Sequence, residues 1–209
     1  MKFYDCATAP SPRRVRIFIA EKGLEIPVEQ VDLANRAQHD DAFQHINPRR
    51  TVPVLETDEG PMLNSTAGIC QYLEQRFPDP PLIGRSAVER GQIIDLDSRI
   101  EFEGLHAVAE AFRNKARAFA NNALTGPHAY AQIPELAERG RQRVGHFFEW
   151  LDEHLTDREF VAGDVYSIAD ISALVTVDFS AWIKMTPPES AIALKRWHSQ
   201  VSARPSATA

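Results

Sequence analysis

Asp5 to Arg16 reads DCATAPSPRRVR, which places a thiol, two hydroxyls and three arginines just past a short apolar start. Thr8 to Pro12 is rich in turn formers and leads from a strand pattern into a helix pattern, so these side chains gather where a helix begins. The first turn of a helix offers free N–H groups and a partial positive charge, which favour an anion. A thiol with a pKa of about 8.5 is only a few per cent ionised at pH 7. Such a turn can therefore favour a thiolate, with a hydroxyl donating to the sulfur. Ser11 and Thr8 are the hydroxyls in place for this. Cys6 reads either as a nucleophile, able to form a mixed disulfide, or as a quiet, partly buried thiol.

Three further stretches carry chemical potential. In Thr51-Val52-Pro53 the bond before proline can be cis at modest cost. A cis bend would leave the Val52 N–H and C=O free to pair with an extended peptide by strand addition; the alternative is that Pro53 merely opens an edge strand. Asn64-Ser65 falls where a strand turns into a helix, so it reads as a carboxylate site, as an N-cap, or as both. Arg49 and Arg50 stand just before the Val-Pro element, a local basic cluster that can grip a small anion or be a solvated pair. Ser167-Ile-Ala-Asp170 fits a capping box with Asp170 in the third helical position, flanked by Tyr166 and Ile171 as a hydrophobic staple. That motif predicts the start of a buried helix from Ile168 to Ile183 and gives Asp170 a structural role.

The elements that must position these residues follow from local patterns. Lys2–Tyr4 is a strand. Ser11 or Pro12 to Lys22 is a helix with Val15, Phe18 and Ile19 at helical spacing and Gly23 as its stop. Pro27 to Leu33 alternates as a second strand, and residues 39–46 form a short helix. Val52 to Leu55 starts a third strand, Asp58-Glu59-Gly60 is a hairpin turn, and Met62-Leu63 begins the return. Ser65 then caps a helix through Ile69, Cys70, Leu73 and Phe77, ended by Pro78. The order βαβαββα fills about the first 80 residues. The proline-rich Pro78-Asp79-Pro80-Pro81 is the best linker candidate, and helical periodicity dominates beyond it, over about 86–119 and Leu136 to Leu155. The expected fold class is α/β followed by all-α, divided as 1–80, a linker at 81–85, and 86–209.

Bulk composition narrows the function classes. The chain has 209 residues, a net charge of -6, 44% hydrophobic and 25% charged residues, as in ordinary globular proteins. An acidic balance argues against a nucleic-acid or anionic-membrane partner. No run approaches the roughly 18 apolar residues of a membrane span, and the start lacks a signal-peptide pattern, so a cytoplasmic location is expected. Two cysteines and seven scattered histidines, without CxxC or HxxxH spacing, predict no metal site.

NPRRTVPVL (47–55), LNSTAGICQYL (63–73) and YSIADI (166–171), in that order and spacing, resemble the glutathione transferase superfamily, as does the closing KRWHSQVSARPSA (195–207). The resemblance is to bacterial cytosolic members and covers nearly the whole chain. It implies a thioredoxin-like domain that binds glutathione, a helical domain that binds an electrophilic second substrate, usually a homodimer, and detoxification chemistry. Glutathione would be a co-substrate, with no metal. The resemblance carries the glutathione-binding role onto Val52, Pro53, Asn64 and Ser65, with Asn64 standing where relatives usually carry Glu or Gln. It puts Arg50 and Thr51 where relatives carry Gly and then Lys or Gln, so that Arg50 or His39 is left to hold the glycyl carboxylate.

At the activating position the chain departs from the family pattern. Ala9 stands where many relatives keep a catalytic Ser or Cys, and Pro10 takes the place of the beta-class cysteine; neither side chain can donate a hydrogen bond. Ser11 is then the first candidate activator and Thr8 the second, while Tyr4 occupies the place of a catalytic tyrosine in several eukaryotic classes or else belongs to the core. Phe102, His106 and Arg113, at i, i+4 and i+11, would share a helix face lining the second-substrate pocket together with Pro10. His106 falls on the helix where the beta class places a histidine near the sulfur. Three functions stay open on these residues: a transferase, a non-catalytic binding or regulatory module, and a glutathione-dependent reductase or peroxidase that would need a reactive Cys6.

Overall fold

The computed structural model describes residues 1–209, which divide into two compact units. Met1–Pro80, Leu124–Ala129 and Ala209 form the first; Pro81–Ala123 and Tyr130–Thr208 form the second.

The first unit follows the order βαβαββα: β1 (Lys2–Asp5), α1 (Pro10–Glu21), β2 (Val28–Gln30), α2 (Asp41–Ile46), β3 (Val54–Glu56), β4 (Met62–Leu63) and α3 (Thr66–Arg76). Its sheet has the strand order β2-β1-β3-β4, with β1 parallel to β2 and antiparallel to β3, and β3 antiparallel to β4. Tyr4 opposes Val54 and Phe3 opposes Leu55. Successive strand side chains point to opposite faces, so the two pairs serve two layers. Tyr4 and Val54 bury themselves with Val31 and Phe43, and Tyr4 meets Phe43 edge-on at 6.4 Å. Phe3 and Leu55 point the other way and are fully buried, as are Val15 and Phe18 of α1 and Ile69 and Leu73 of α3.

The strand expected over Pro27 to Leu33 is shorter than its alternation predicts. The strand itself is Val28–Gln30, all three residues exposed, while at its two ends Pro27 accepts from the Phe3 N–H and Val31 donates to the Asp5 carbonyl. An edge strand has neighbours on one side only, and the apolar Val31 and Leu33 beyond it turn into the α2 layer instead. The helix expected from Ser11 or Pro12 starts at Pro10, whose fixed φ and missing N–H suit the first helical position.

The second unit is helical: α4 (Ala87–Arg99), a π-helical segment (Ile100–Leu105), α5 (His106–Arg113), α6 (Pro134–His154), α7 (Ile168–Ser180) and α8 (Ile192–Ser202). Ser86 and Glu89 make a reciprocal capping box for α4. Almost every residue of α7 is buried, the mark of a helix at the centre of its unit. It ends at Ser180, and a 3-10 turn carries the chain on to Ile183. Its capping box is present as the sequence predicts: Asp170 accepts from the Ser167 N–H at 3.0 Å. Gly140 lets α6 approach α5 closely, since a Cβ there would lie 2.7 Å from the Ala107 carbonyl. Leu82 and Ile83, in the stretch expected to be a linker, are buried, and Leu82 accepts a backbone bond from Ile168 at 2.9 Å. No helix is long and apolar enough to cross a membrane.

Candidate active site

The turn from β1 to α1 sets the first part of the site. Ala9 is the N-cap of α1 and makes no side-chain cap, so Ser11 sits inside the first helical turn rather than at the cap. Hydrogen bonding leaves little to offer there. The Ala9 N–H is taken up by the Cys6 carbonyl at 2.9 Å, and the Arg13 N–H by the Ala9 carbonyl at 3.2 Å. Pro10 and Pro12 have no N–H. In the first turn of α1, Ser11 thus holds the one free backbone N–H, and its hydroxyl makes no hydrogen bond within the chain.

Thr8 is exposed, with Oγ1 3.4 Å from Cys6 Sγ. Cys6 itself is buried, which fits the quiet-thiol reading. Tyr4 belongs to the core. Its hydroxyl lies 3.4 Å from Glu56 Oε2, and burial, against the nearby Lys2, raises its pKa above the usual 10.0.

A second helix start adjoins the first. The Thr66 hydroxyl donates to the Ser11 carbonyl at 3.4 Å, so the N-termini of α1 and α3 meet. Ser65 caps α3 and accepts from the Gly68 N–H at 3.1 Å. Glycine at 68 leaves room for this cap, because a Cβ would lie 2.9 Å from Ser65 Oγ and push it aside. The cap does not exhaust the site. The N–H groups of Thr66 and Ala67 belong to the first turn, where no intrahelical acceptor exists, and the Ser65 hydroxyl can still donate its proton.

The loop before β3 completes the group. The Val52–Pro53 peptide is cis, and Val52 lies outside the ladder with neither backbone group bonded within the chain. Asn47, fully buried, organises this loop by donating from Nδ2 to the Thr51 carbonyl at 2.7 Å while its Oδ1 accepts from the Arg49 N–H at 3.0 Å. Asn64 reaches the same hub: its Nδ2 is 3.4 Å from Asn47 Oδ1, and Arg49 Nη1 is 3.4 Å from its Oδ1. The roles of Asn47 and Thr66 escape a reading of the sequence. The Asn47-Pro48 turn signal is the available hint, but burial and partners cannot be read from it.

Arg50 adopts a left-handed φ of 54°, where the family pattern has glycine. A side chain in that region costs about 1–2 kcal/mol. The guanidinium is held by Gln44 Oε1 at 2.7 Å and lies 3.5 Å from His39 Nδ1, leaving Nε without a partner. Because a guanidinium only donates, Nδ1 is the acceptor. Burial, then the charges of Arg36 and Arg50, hold the His39 pKa below its usual 6.5. At neutral pH His39 is a neutral partner of Arg50, and the positive charge of the pair is the arginine's.

The helical unit carries the other expected residues. Phe102 lies in the π-helical segment, exposed, with the Arg143 guanidinium 5.1 Å from its ring centre. His106 opens α5 and is exposed. The spacing that aligned Phe102, His106 and Arg113 assumes an uninterrupted α-helix. The π-helical segment changes the phase between the first two, because its bonds run i to i+5. Arg113 is committed elsewhere: it donates to the carbonyls of Ala123, at 3.2 Å, and Asn122, and its guanidinium lies 4.2 Å from the Phe119 ring centre. It straps the segment after α5.

Comparison with known proteins finds a family model for each unit. A model of the glutathione S-transferase N-terminal domain matches residues 3–81, and one of the C-terminal domain matches residues 106–205. Glutathione S-transferase 2 of Saccharomyces cerevisiae is 32% identical, covering 99% of this chain and 87% of the relative. A glutathione S-transferase domain-containing protein of Marinobacter aquaeolei has a crystal structure that superposes with a TM-score of 0.90 at 32% identity, covering 99% of both chains. A Gtt2-class glutathione S-transferase of Vibrio parahaemolyticus superposes with a TM-score of 0.83 at 31% identity, covering 99% of this chain and 95% of that one.

Proposed function

Because the chain belongs to the glutathione S-transferase family, we propose that it conjugates the glutathione thiolate to an electrophilic small molecule, with the sulfur at the N-terminus of α1. The observation that carries this reading is the meeting of the α1 and α3 N-termini, with the loop that holds the unbonded backbone of Val52 tied through Asn47 to Asn64 just before α3. Glutathione is an extended peptide with two carboxylates and one thiol, and three matching features lie within one unit. The Val52 N–H and C=O, set by Pro53, pair with its backbone. Ser65, Asn64 and the first turn of α3 receive the γ-glutamyl carboxylate, with Arg49 adding charge beside Asn64. Arg50, backed by His39, receives the glycyl carboxylate.

Ser11 then donates to the sulfur from its N–H and its hydroxyl, with Thr8 as the neighbouring hydroxyl. The thiolate attacks by addition or substitution, and holding the two reactants in register supplies much of the acceleration. In the helical unit, Phe102 and His106 are the residues assigned to the second substrate. A cytoplasmic homodimer acting in detoxification, with glutathione as co-substrate, completes the proposal.

The test is the ultraviolet absorbance of bound glutathione thiolate against pH. The unaltered protein is expected to hold the thiol pKa below about 8.5. Ser11→Ala should raise it only part of the way back, because the backbone N–H remains; an unchanged pKa removes the hydroxyl from the mechanism. Binding without any lowered pKa would point to a non-catalytic module. Ser65→Ala is expected to weaken glutathione binding about tenfold in calorimetry, the loss of one hydrogen bond to a charged group.

A further inference from the structure

The turn between β1 and α1 is held from three elements at once. Arg16, on α1, donates from Nη1 to Asp5 Oδ1 at 2.6 Å and to the Cys6 carbonyl at 3.3 Å, and from Nη2 to the Ala7 carbonyl at 3.0 Å. Gln30, the last residue of β2, donates from Nε2 to Asp5 Oδ2 at 2.6 Å and accepts the Ala7 N–H on Oε1 at 3.0 Å. Asp5 ends β1, and its side chain is 1% exposed. The Cys6 carbonyl and the Ala7 N–H belong to the same peptide unit, so that plane is pinned at both ends. The next plane is pinned through the Ala7 carbonyl. Two successive planes leading into Thr8 and Ser11 therefore have their orientation set by side chains with no assigned contact to glutathione.

We propose that Arg16 is a positioning residue for the thiolate-stabilising turn, gripping two successive carbonyls while Asp5 and Gln30 hold it in place. The inference rests on the reading that the glutathione sulfur lies at this turn. A planar guanidinium can reach a carboxylate and two carbonyls together, whereas a lysine ammonium keeps the charge beside Asp5 but not the fork. Rate is sensitive to such placement, since a displacement of about 1 Å can cost on the order of a hundredfold.

Arg16→Lys separates charge from geometry, and Gln30→Ala, at an exposed position, loosens the same peptide plane while leaving the ion pair intact. Thermal midpoint, glutathione affinity, thiol pKa and the pH dependence of kcat are measured for both and for the unaltered protein. Arg16→Lys is expected to bind glutathione within about twofold of the unaltered protein yet raise the bound thiol pKa by about one pH unit. At neutral pH kcat should fall about tenfold and recover at high pH, where the thiol ionises unaided. Gln30→Ala should move in the same direction by less. A lowered thermal midpoint with an unchanged thiol pKa in both variants would make the bracing purely structural and overturn the inference alone. An ordinary thiol pKa in the unaltered protein would overturn the parent reading and this one together.

Discussion

Asp170→Ala is expected to destabilise the helical unit by about 3–5 kcal/mol at pH 4, the cost of leaving several buried donors without their acceptor. Asp170 is fully buried. Its Oδ1 accepts from the Val161 N–H at 2.8 Å and from Trp197 Nε1 at 2.9 Å, and its Oδ2 from the Ser167 N–H at 3.0 Å and the Ser167 hydroxyl at 3.2 Å. One side chain therefore ties the start of α7 to the chain before it and to α8. Alanine leaves those donors facing a cavity. Asparagine, though nearly isosteric, brings an NH2 group to a place where four donors already point, so Asp170→Asn should recover only a small part.

Burial is the main influence on this carboxyl and pushes its pKa from 3.8 to about 6, against the hydrogen bonds that lower it. A raised pKa in the folded state means that the group's contribution is fully present below 3.8 and declines as pH rises through about 6. The stability gap between the unaltered protein and Asp170→Ala should accordingly narrow between about pH 4 and pH 7, by roughly 1.4 kcal/mol for each pH unit that separates the folded and unfolded pKa values. Denaturant unfolding followed by tryptophan fluorescence at the two pH values checks it. A gap that widened with pH would contradict the direction.

Lys22→Met is expected to cost the N-terminal unit about 3–5 kcal/mol, because it removes one partner of a buried ion pair. The Lys22 side chain is 0% exposed and Glu74 is 2% exposed, with Nζ 2.5 Å from Glu74 Oε2. The ammonium also donates to the carbonyls of Phe77, at 2.8 Å, and Pro80, at 2.6 Å. Three donors meet three acceptors, which is the full capacity of the group. The pair joins the end of α1 to α3 and to the chain that leaves it. Methionine matches the stem but leaves those acceptors without their donor. The double variant Lys22→Met with Glu74→Gln should be more stable than the sum of the single losses predicts. Additive losses in a double-mutant cycle would show that the two residues are not coupled.

The two residues differ in how far the sequence reveals them. Asp170 is legible because a capping box is a local pattern, four residues wide. Its bonds to Val161 and Trp197 are not, since they join distant parts of the chain. Lys22 reads only as the end of a helix before Gly23, and nothing nearby in sequence shows that a lysine there is buried. The same limit applies to Arg16, whose helical place is evident but whose grip on the preceding turn is not. Phe102 and His106 show the opposite limit: an i, i+4 rule presumes a regular helix, and a π-helical segment runs between them.

What the sequence determined alone is what short-range physics controls. The order βαβαββα, the helix start at Ser65, the box at Ser167 and the absence of a side-chain donor at Ala9 and Pro10 all follow from neighbours a few residues apart. Only the tertiary structure decided that Ser11 meets the start of α3, that Asn47 gathers Thr51, Arg49 and Asn64, and that Cys6 is a buried thiol. The links from Asn47 to Asn64 and from Ser11 to Thr66 span 17 and 55 residues, brought together by burial of two sheet faces. Ser11 keeps the one N–H still free in the first turn of α1, since the Arg13 N–H is bonded and Pro10 and Pro12 have none.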